Sequence, residues 1–193
     1  MGYYLPISRS GDVIMISISS CGVRVDTWGP GRRYVIQTQG CTHKCRGCPR
    51  RDLWSIVGGT HAQISAIVAD IKKHNVNDVT IVGAEPLIQL EQLAELVRML
   101  RLELPKINIW IYTAYTINEI INILKSNVVV ETMLPNVNVI VARLDLPEPT
   151  IIETSYHKCK APHCAYRVHK TEDGSFGFIN VTDENMLLPT ICG

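Results

Sequence analysis

Three cysteines lie within eight residues of this 193-residue sequence, in the stretch GCTHKCRGCPR at positions 40–50. Cys41, Cys45 and Cys48 have the spacing C-x3-C-x2-C, and a loop that tight can direct three sulfur atoms at one centre. Thiolates are the usual ligands of iron–sulfur clusters and of structural zinc. Structural zinc generally takes four protein ligands in two short pairs. The spacing therefore favours a [4Fe-4S] cluster whose fourth iron is left open. Zinc completed by Cys21 or His43 is the alternative, although His43 is expected to face solvent.

The elements around this loop predict an α/β fold. Apolar or β-branched runs predict strands at residues 12–20, 33–39, 78–82, 106–113 and 137–142. Helices are predicted at about 61–74, with Thr60 and Gln63 as a capping box, and around Leu90–Leu100. A third helix is predicted after Thr116, with Thr116 and Glu119 as another capping box. Strand and helix alternate three times, which indicates parallel strands in an open, mostly parallel sheet or a partial (β/α) barrel.

Two further loops also follow predicted strands. They are GAEP at residues 83–86 and TAYT at residues 113–116. In parallel α/β folds the chemistry sits at the carboxyl ends of the strands. We therefore expect these two loops and the cysteine loop to meet at one edge of the sheet.

After Asp145 the sequence has two prolines in the stretch LPEPT and no further helical periodicity. We predict a core at residues 1–148 and a C-terminal extension at 149–193 that packs on it. The extension contains three cysteines and three histidines without helical periodicity, namely Cys159, Cys164, Cys192, His157, His163 and His169. Its C-x4-C spacing is not a strong metal pattern, so reduced structural cysteines are favoured over a second metal site.

Composition limits the partners and the location. The formal net charge is +1 and charged residues make up 19% of the chain, so binding to nucleic acid is unsupported. No leader and no run long enough to cross a bilayer is visible, and an odd number of cysteines argues against a disulfide framework, so a cytoplasmic protein is expected. A basic set is either a solvated surface or a docking face for an acidic electron donor. It consists of Arg32, Arg33, Lys44, Arg46, Arg50 and Arg51.

Taken together, GPGRRYVIQTQGCTHKCRGCPRRDLW and the later GAEP loop resemble the radical S-adenosylmethionine (SAM) enzymes. Within that superfamily the stretch is most similar to the small glycyl-radical activases of the anaerobic ribonucleotide reductase type. There the third cysteine follows a glycine and a tryptophan comes soon after, as Cys48 follows Gly47 and precedes Trp54. The resemblance covers roughly residues 26–115.

The resemblance implies a fold of the radical SAM type, a mechanism and a set of roles. Cys41, Cys45 and Cys48 would bind the cluster, and SAM would be cleaved reductively to a 5′-deoxyadenosyl radical that abstracts hydrogen. The loop along the methionine end of SAM would be Gly83, Ala84, Glu85 and Pro86, with alanine where many relatives have glycine. Tyr112 and Thr113 would contact the sugar or adenine.

The implied partners are an electron donor such as flavodoxin or ferredoxin and a protein or peptide substrate, most simply a glycyl-radical enzyme. Modification of a peptide or small-molecule precursor is an alternative reaction. An iron–sulfur electron-transfer module and a zinc-stabilised interaction domain are alternatives of other classes.

Overall fold

The computed structural model describes residues 13–46, 48–143, 152–153, 158–159, 163–170 and 176–180. The strands are β1 Met15–Val25, β2 Arg32–Thr38, β3 Thr60–Gln63, β4 Asp78–Gly83, β5 Asn108–Thr116, β6 Val139–Arg143, β7 Ile152–Glu153, β8 Lys158–Cys159, β9 His163–Lys170 and β10 Phe176–Asn180. The helices are α1 Ile64–Lys73, α2 Leu90–Glu103, α3 Ile117–Leu124 and α4 Val128–Met133, with short 3-10 turns at Arg51–Leu53, Pro86–Gln89 and Leu134–Asn136.

Eight of these strands form one open sheet in the order β10-β9-β6-β5-β4-β2-β1-β3. Its centre, β2, β4, β5 and β6, is parallel, as the alternation of strands and helices predicts. Antiparallel strands flank the centre on both sides, with β1 and β3 beyond β2 and with β9 and β10 beyond β6. The sheet is therefore open, as predicted, with a parallel centre and antiparallel edges, and the described strands do not close into a barrel.

The main core lies between the helices and one face of the sheet. Alternate strand residues such as Ile36, Ile81 and Ile111 face α1 to α4 and are buried with them. The opposite face carries a smaller cluster, with Val35, Val82, Trp110, Tyr112, Val139 and Val141, to which none of the described helices contributes. Because the four helices of the described residues all pack on one face, the two faces have different environments.

The predicted capping box at Thr116 and Glu119 is confirmed. The Thr116 hydroxyl accepts a hydrogen bond from the Glu119 amide, and the Glu119 carboxylate accepts one from the Thr116 amide. This reciprocal pairing fixes the first turn of α3 directly after β5. The chain therefore turns away from the sheet at a defined residue.

The predicted capping box at Thr60 and Gln63 is wrong. Residues 60–63 form β3, an edge strand whose Gln63 pairs with Met15 of β1, and the side chain of Gln63 makes no capping bond at the start of α1. α4 was not predicted, because its sequence VVVETM consists half of β-branched valines that favour strands.

Part of the C-terminal segment extends the sheet. β9 pairs with β6 in antiparallel register, with Cys164 opposite Ala142. Cys159 belongs to the short β8, which pairs with β7, while His157 and Cys192 lie outside the described residues. Within the part of the chain that the structure describes, no helix is long and apolar enough to cross a membrane.

Candidate metal centre

The cysteine loop begins directly after β2, at the carboxyl end of the parallel strands. Its start is fixed by two backbone hydrogen bonds to the segment that follows it: the Gly40 amide donates to the Leu53 carbonyl at 2.9 Å, and the Cys41 amide donates to the Trp54 carbonyl at 3.2 Å. The Cys48 amide donates to the Cys45 carbonyl at 3.1 Å. Cys41 is buried, and Cys45 and Cys48 are half-buried. All three thiols are free.

The GAEP loop lies against the end of β2. The Ala84 amide donates to the Thr38 carbonyl at 3.3 Å, and the Glu85 amide donates to the Gly40 carbonyl at 3.0 Å. Gly83 has a φ of +135°, and a Cβ at this position would overlap the backbone of Thr38. The backbone of Ala84 has no positive φ, so alanine in place of glycine causes no strain there.

Glu85 joins the second and third loops. Its carboxylate has no solvent exposure. One oxygen accepts hydrogen bonds from the Leu87 amide at 3.0 Å and the Thr113 hydroxyl at 2.9 Å, and the other accepts from the Ala114 amide at 2.7 Å. Burial raises the pKa of Glu85 to about 7, although these three donors act in the opposite direction. The convergence of the three loops at one edge is thus confirmed.

His43 is the residue of the cysteine loop that reaches these neighbours, and the expectation that it faces solvent is wrong. Its side chain is only 17% exposed. The ring lies edge-on to Tyr115 with centroids 4.5 Å apart, and its Nε2 is 3.8 Å from a Glu85 carboxylate oxygen. Burial is the main cause that lowers the pKa of His43. His43 therefore packs the cysteine loop against the end of β5.

Tyr112 and Thr113 lie on opposite faces of the sheet, as successive strand residues must. Thr113 is buried beside Glu85, and its hydroxyl also accepts a hydrogen bond from the Tyr115 amide. Tyr112 packs on the face without helices, edge-on to Trp28 with centroids 5.3 Å apart. Its buried hydroxyl has no hydrogen-bond partner within the described part of the chain, and burial raises its pKa. The structure brings Thr113, but not Tyr112, into contact with the loop residues.

The basic set does not form one surface. Arg33 is buried at the opposite end of β2, where it binds Asp78 at 3.1 Å and stacks 4.5 Å from the centre of the Trp110 ring. Arg32 binds the carbonyl groups of His74 and Asn75. The predicted grouping is wrong for these two residues, and the remaining four lie in the cysteine loop or just after it.

A family model described as 4Fe-4S single cluster domain matches residues 27–144. The chain belongs to this family. The match contains all three loops, the parallel centre of the sheet and helices α1 to α4.

Named relatives of this 4Fe-4S protein agree with the resemblance seen in the sequence. It is 31% identical over 99 residues to the anaerobic ribonucleoside-triphosphate reductase-activating protein of Vibrio cholerae, covering 48% of this chain and 64% of that one. The protein of the same name from phage T4 is 31% identical over 97 residues, covering 48% and 62%. That of Pasteurella multocida is 30% identical over 120 residues, covering 58% and 73%. The chain thus spans a little under two thirds of the first two relatives.

The donors of the cysteine loop fit a 4Fe-4S cluster chemically. Burial is the largest cause acting on the pKa of the Cys41 thiol and raises it, whereas the nearby backbone amides of His43 and Lys44 lower it. Cys45 is near enough to raise it further. Among the described residues, no three His, Cys, Asp or Glu side chains converge as a preformed metal site. A cluster bound here therefore requires the sulfur atoms of the loop to turn toward one another.

Proposed function

We propose that this protein is a radical SAM activase that binds a [4Fe-4S] cluster through Cys41, Cys45 and Cys48. The observation that carries the proposal is the meeting of the three-cysteine loop with the 83–86 and 113–116 loops at one sheet edge, joined by the Glu85 amide and carboxylate. Relatives named as reductase-activating proteins support the same reading. The proposed location is the cytoplasm, where thiols stay reduced.

When bound, the cluster supplies the electron that cleaves SAM to methionine and a 5′-deoxyadenosyl radical, which takes hydrogen from the target. The half-buried backbone of Gly83 and Ala84 is proposed to bind the methionine end of SAM, together with Pro86. Glu85 is proposed to hold this loop in place rather than to bind SAM through its side chain, since both carboxylate oxygens already accept protein hydrogen bonds.

Thr113 is proposed to fix the position of Glu85 through the hydrogen bond from its hydroxyl, and so to fix the conformation of the 83–86 loop. Tyr112 is proposed to contact the sugar or adenine from the other face of the sheet, where its buried hydroxyl is left without a hydrogen-bond partner among the described residues. The target is proposed to be a protein, most simply a glycine of an anaerobic ribonucleotide reductase, because that is what the relatives' names state they activate. The electron donor is proposed to be a small redox protein such as flavodoxin or ferredoxin.

Anaerobic reconstitution tests this function. The loaded protein, reduced by dithionite with SAM, is expected to release 5′-deoxyadenosine, and Cys48→Ser is expected to release none. A redox-active cluster that never cleaves SAM would indicate an electron-transfer module. A colourless protein with stoichiometric zinc would indicate an interaction domain. Either result overturns the proposal.

A further inference from the structure

The segment after the third cysteine forms a firmly held loop at residues 55–59. The Gln39 side-chain amide donates to the Ser55 carbonyl at 2.9 Å, and the Ser17 hydroxyl donates to the Gly58 carbonyl at 2.8 Å. Gly59 has a φ of +81°, and a Cβ there would lie 2.8 Å from the Gln39 side chain. The sheet beneath therefore fixes the conformation of this loop, and whatever its tip presents is presented in a constant position.

That tip is apolar and faces solvent. Val57 is 91% exposed and Ile56 is 65% exposed. Single exposed apolar residues are common on protein surfaces and need no explanation. Here two adjacent β-branched residues stand at the tip of a fixed loop, two residues after Trp54, whose carbonyl binds the Cys41 amide.

The same segment concentrates positive charge. Lys44, Arg46, Arg50 and Arg51 are all exposed, and Asp52 is the only acidic residue between positions 42 and 59. This segment carries a formal charge of +3 against +1 for the whole chain, so the rest of the chain is net negative. The Arg50–Asp52 pair, at 2.9 Å, is exposed and contributes little to stability.

We propose that Lys44, Arg46, Arg50, Arg51, Ile56 and Val57, here called the docking surface, bind an acidic one-electron redox protein. The proposal rests on the proposed function, which requires an electron. Basic residues attract and orient an acidic partner, and the apolar tip provides the desolvated centre that a small transient interface needs.

An electron donor fits this position for a geometric reason. The docking surface includes the loop that contains Cys45 and Cys48, both half-buried, so a protein seated on it has its redox group close to the cluster ligands. The donor loses one electron and the cluster gains it; no bond forms or breaks in the contact itself.

Electron transfer between the loaded protein and flavodoxin tests the docking surface without requiring SAM cleavage. The fully loaded chain is reduced with dithionite, desalted and mixed with oxidised flavodoxin, and the rate of semiquinone formation is recorded. Val57→Glu is expected to lower this rate about tenfold, because it places a negative charge at the centre of the contact. When a small neutral quinone replaces flavodoxin as the electron acceptor, the unmodified protein and Val57→Glu are expected to react equally fast.

A matched control is available on α2. Leu102 is 64% exposed and lies far along the chain from the docking surface, so Leu102→Glu is expected to leave the rate within twofold. Raising the salt concentration is expected to slow the unmodified protein and to have a smaller effect on Arg46→Glu.

Several outcomes overturn the docking surface. One is an unchanged rate of electron transfer to flavodoxin in Val57→Glu. A second is that Val57→Glu slows transfer to flavodoxin and to the quinone equally. The last is a docking-surface variant that transfers electrons to flavodoxin normally but no longer activates an anaerobic reductase. The last would assign the surface to the reductase instead. Failure of the proposed function is seen separately, as absence of 5′-deoxyadenosine with dithionite while flavodoxin transfer still proceeds.

Discussion

Replacing Glu85 by alanine removes the acceptor that joins the 83–86 loop to the end of β5. The change leaves three hydrogen-bond donors without partners, namely the Leu87 amide, the Ala114 amide and the Thr113 hydroxyl. All three lie around a carboxylate that has no solvent exposure. The perturbation is therefore confined to one buried polar junction.

The size of the effect follows from two opposing contributions. Each unpaired buried donor costs about 1–3 kcal/mol, which gives a loss of about 6 kcal/mol for three. Removing the buried carboxylate recovers part of this, because a pKa raised from 4.5 to about 7 corresponds to about 3 kcal/mol of unfavourable charge burial at neutral pH. The net loss of unfolding free energy for Glu85→Ala is about 3 kcal/mol. Glu85→Gln keeps one acceptor oxygen for two of the donors, so its loss of unfolding free energy is expected to be smaller than that of Glu85→Ala.

Urea unfolding of the cluster-free protein, under reducing conditions and followed by tryptophan fluorescence, measures this loss. Glu91→Ala is the matched control, since Glu91 is exposed in the first turn of α2 and a change there should stay within about 0.5 kcal/mol. If Glu85→Ala unfolds at the same urea concentration as the unmodified protein, the junction does not hold the loops together and the reasoning fails.

The remaining predictions concern backbone, metal and pH. Gly83→Ala should lower the unfolding free energy by about 2–4 kcal/mol, whereas Gly31→Ala, with φ of +73° and open space, should cost only about 1 kcal/mol in the same titration. Cys48→Ser should lose most of its iron after reconstitution, whereas Cys21→Ser should keep it, as a colorimetric iron assay will show. Because the pKa of Glu85 is higher in the folded state, its proton stabilises the cluster-free fold below about pH 4.5, and about 3 kcal/mol is lost as the pH rises through about 7. If the unfolding free energy of Glu85→Gln falls between pH 5 and pH 8 by as much as that of the unmodified protein, the assignment to Glu85 is contradicted.

The parallel centre of the sheet was predictable because its strands are short apolar runs between helices with clear 3.6-residue periodicity. Runs such as DVTIV, which became β4, are locally unambiguous. The meeting of the three loops followed from the same topology, since parallel strands end at one edge.

Features that depend on distant partners were not predictable. β3 looks like a helix start because Thr60 and Gln63 have capping-box spacing, and only its pairing with β1 reveals a strand. The inward position of His43 depends on Tyr115, which has no local signal near the cysteines. For α4 one signal was present: Asn127 caps the helix by accepting a hydrogen bond from the Val129 amide at 2.9 Å.

The distribution of the site along the chain has a consequence for biosynthesis. All three cysteines of the loop are translated by residue 48, but the buried surroundings of Cys41 require β5 as far as Ala114, which binds Glu85 beside the start of the loop. At about 5–20 residues per second, the ribosome needs several seconds to add the residues between them. During that interval the thiols are open to oxidation and to competing metals, so iron delivery should be most selective once the nascent chain has passed β5.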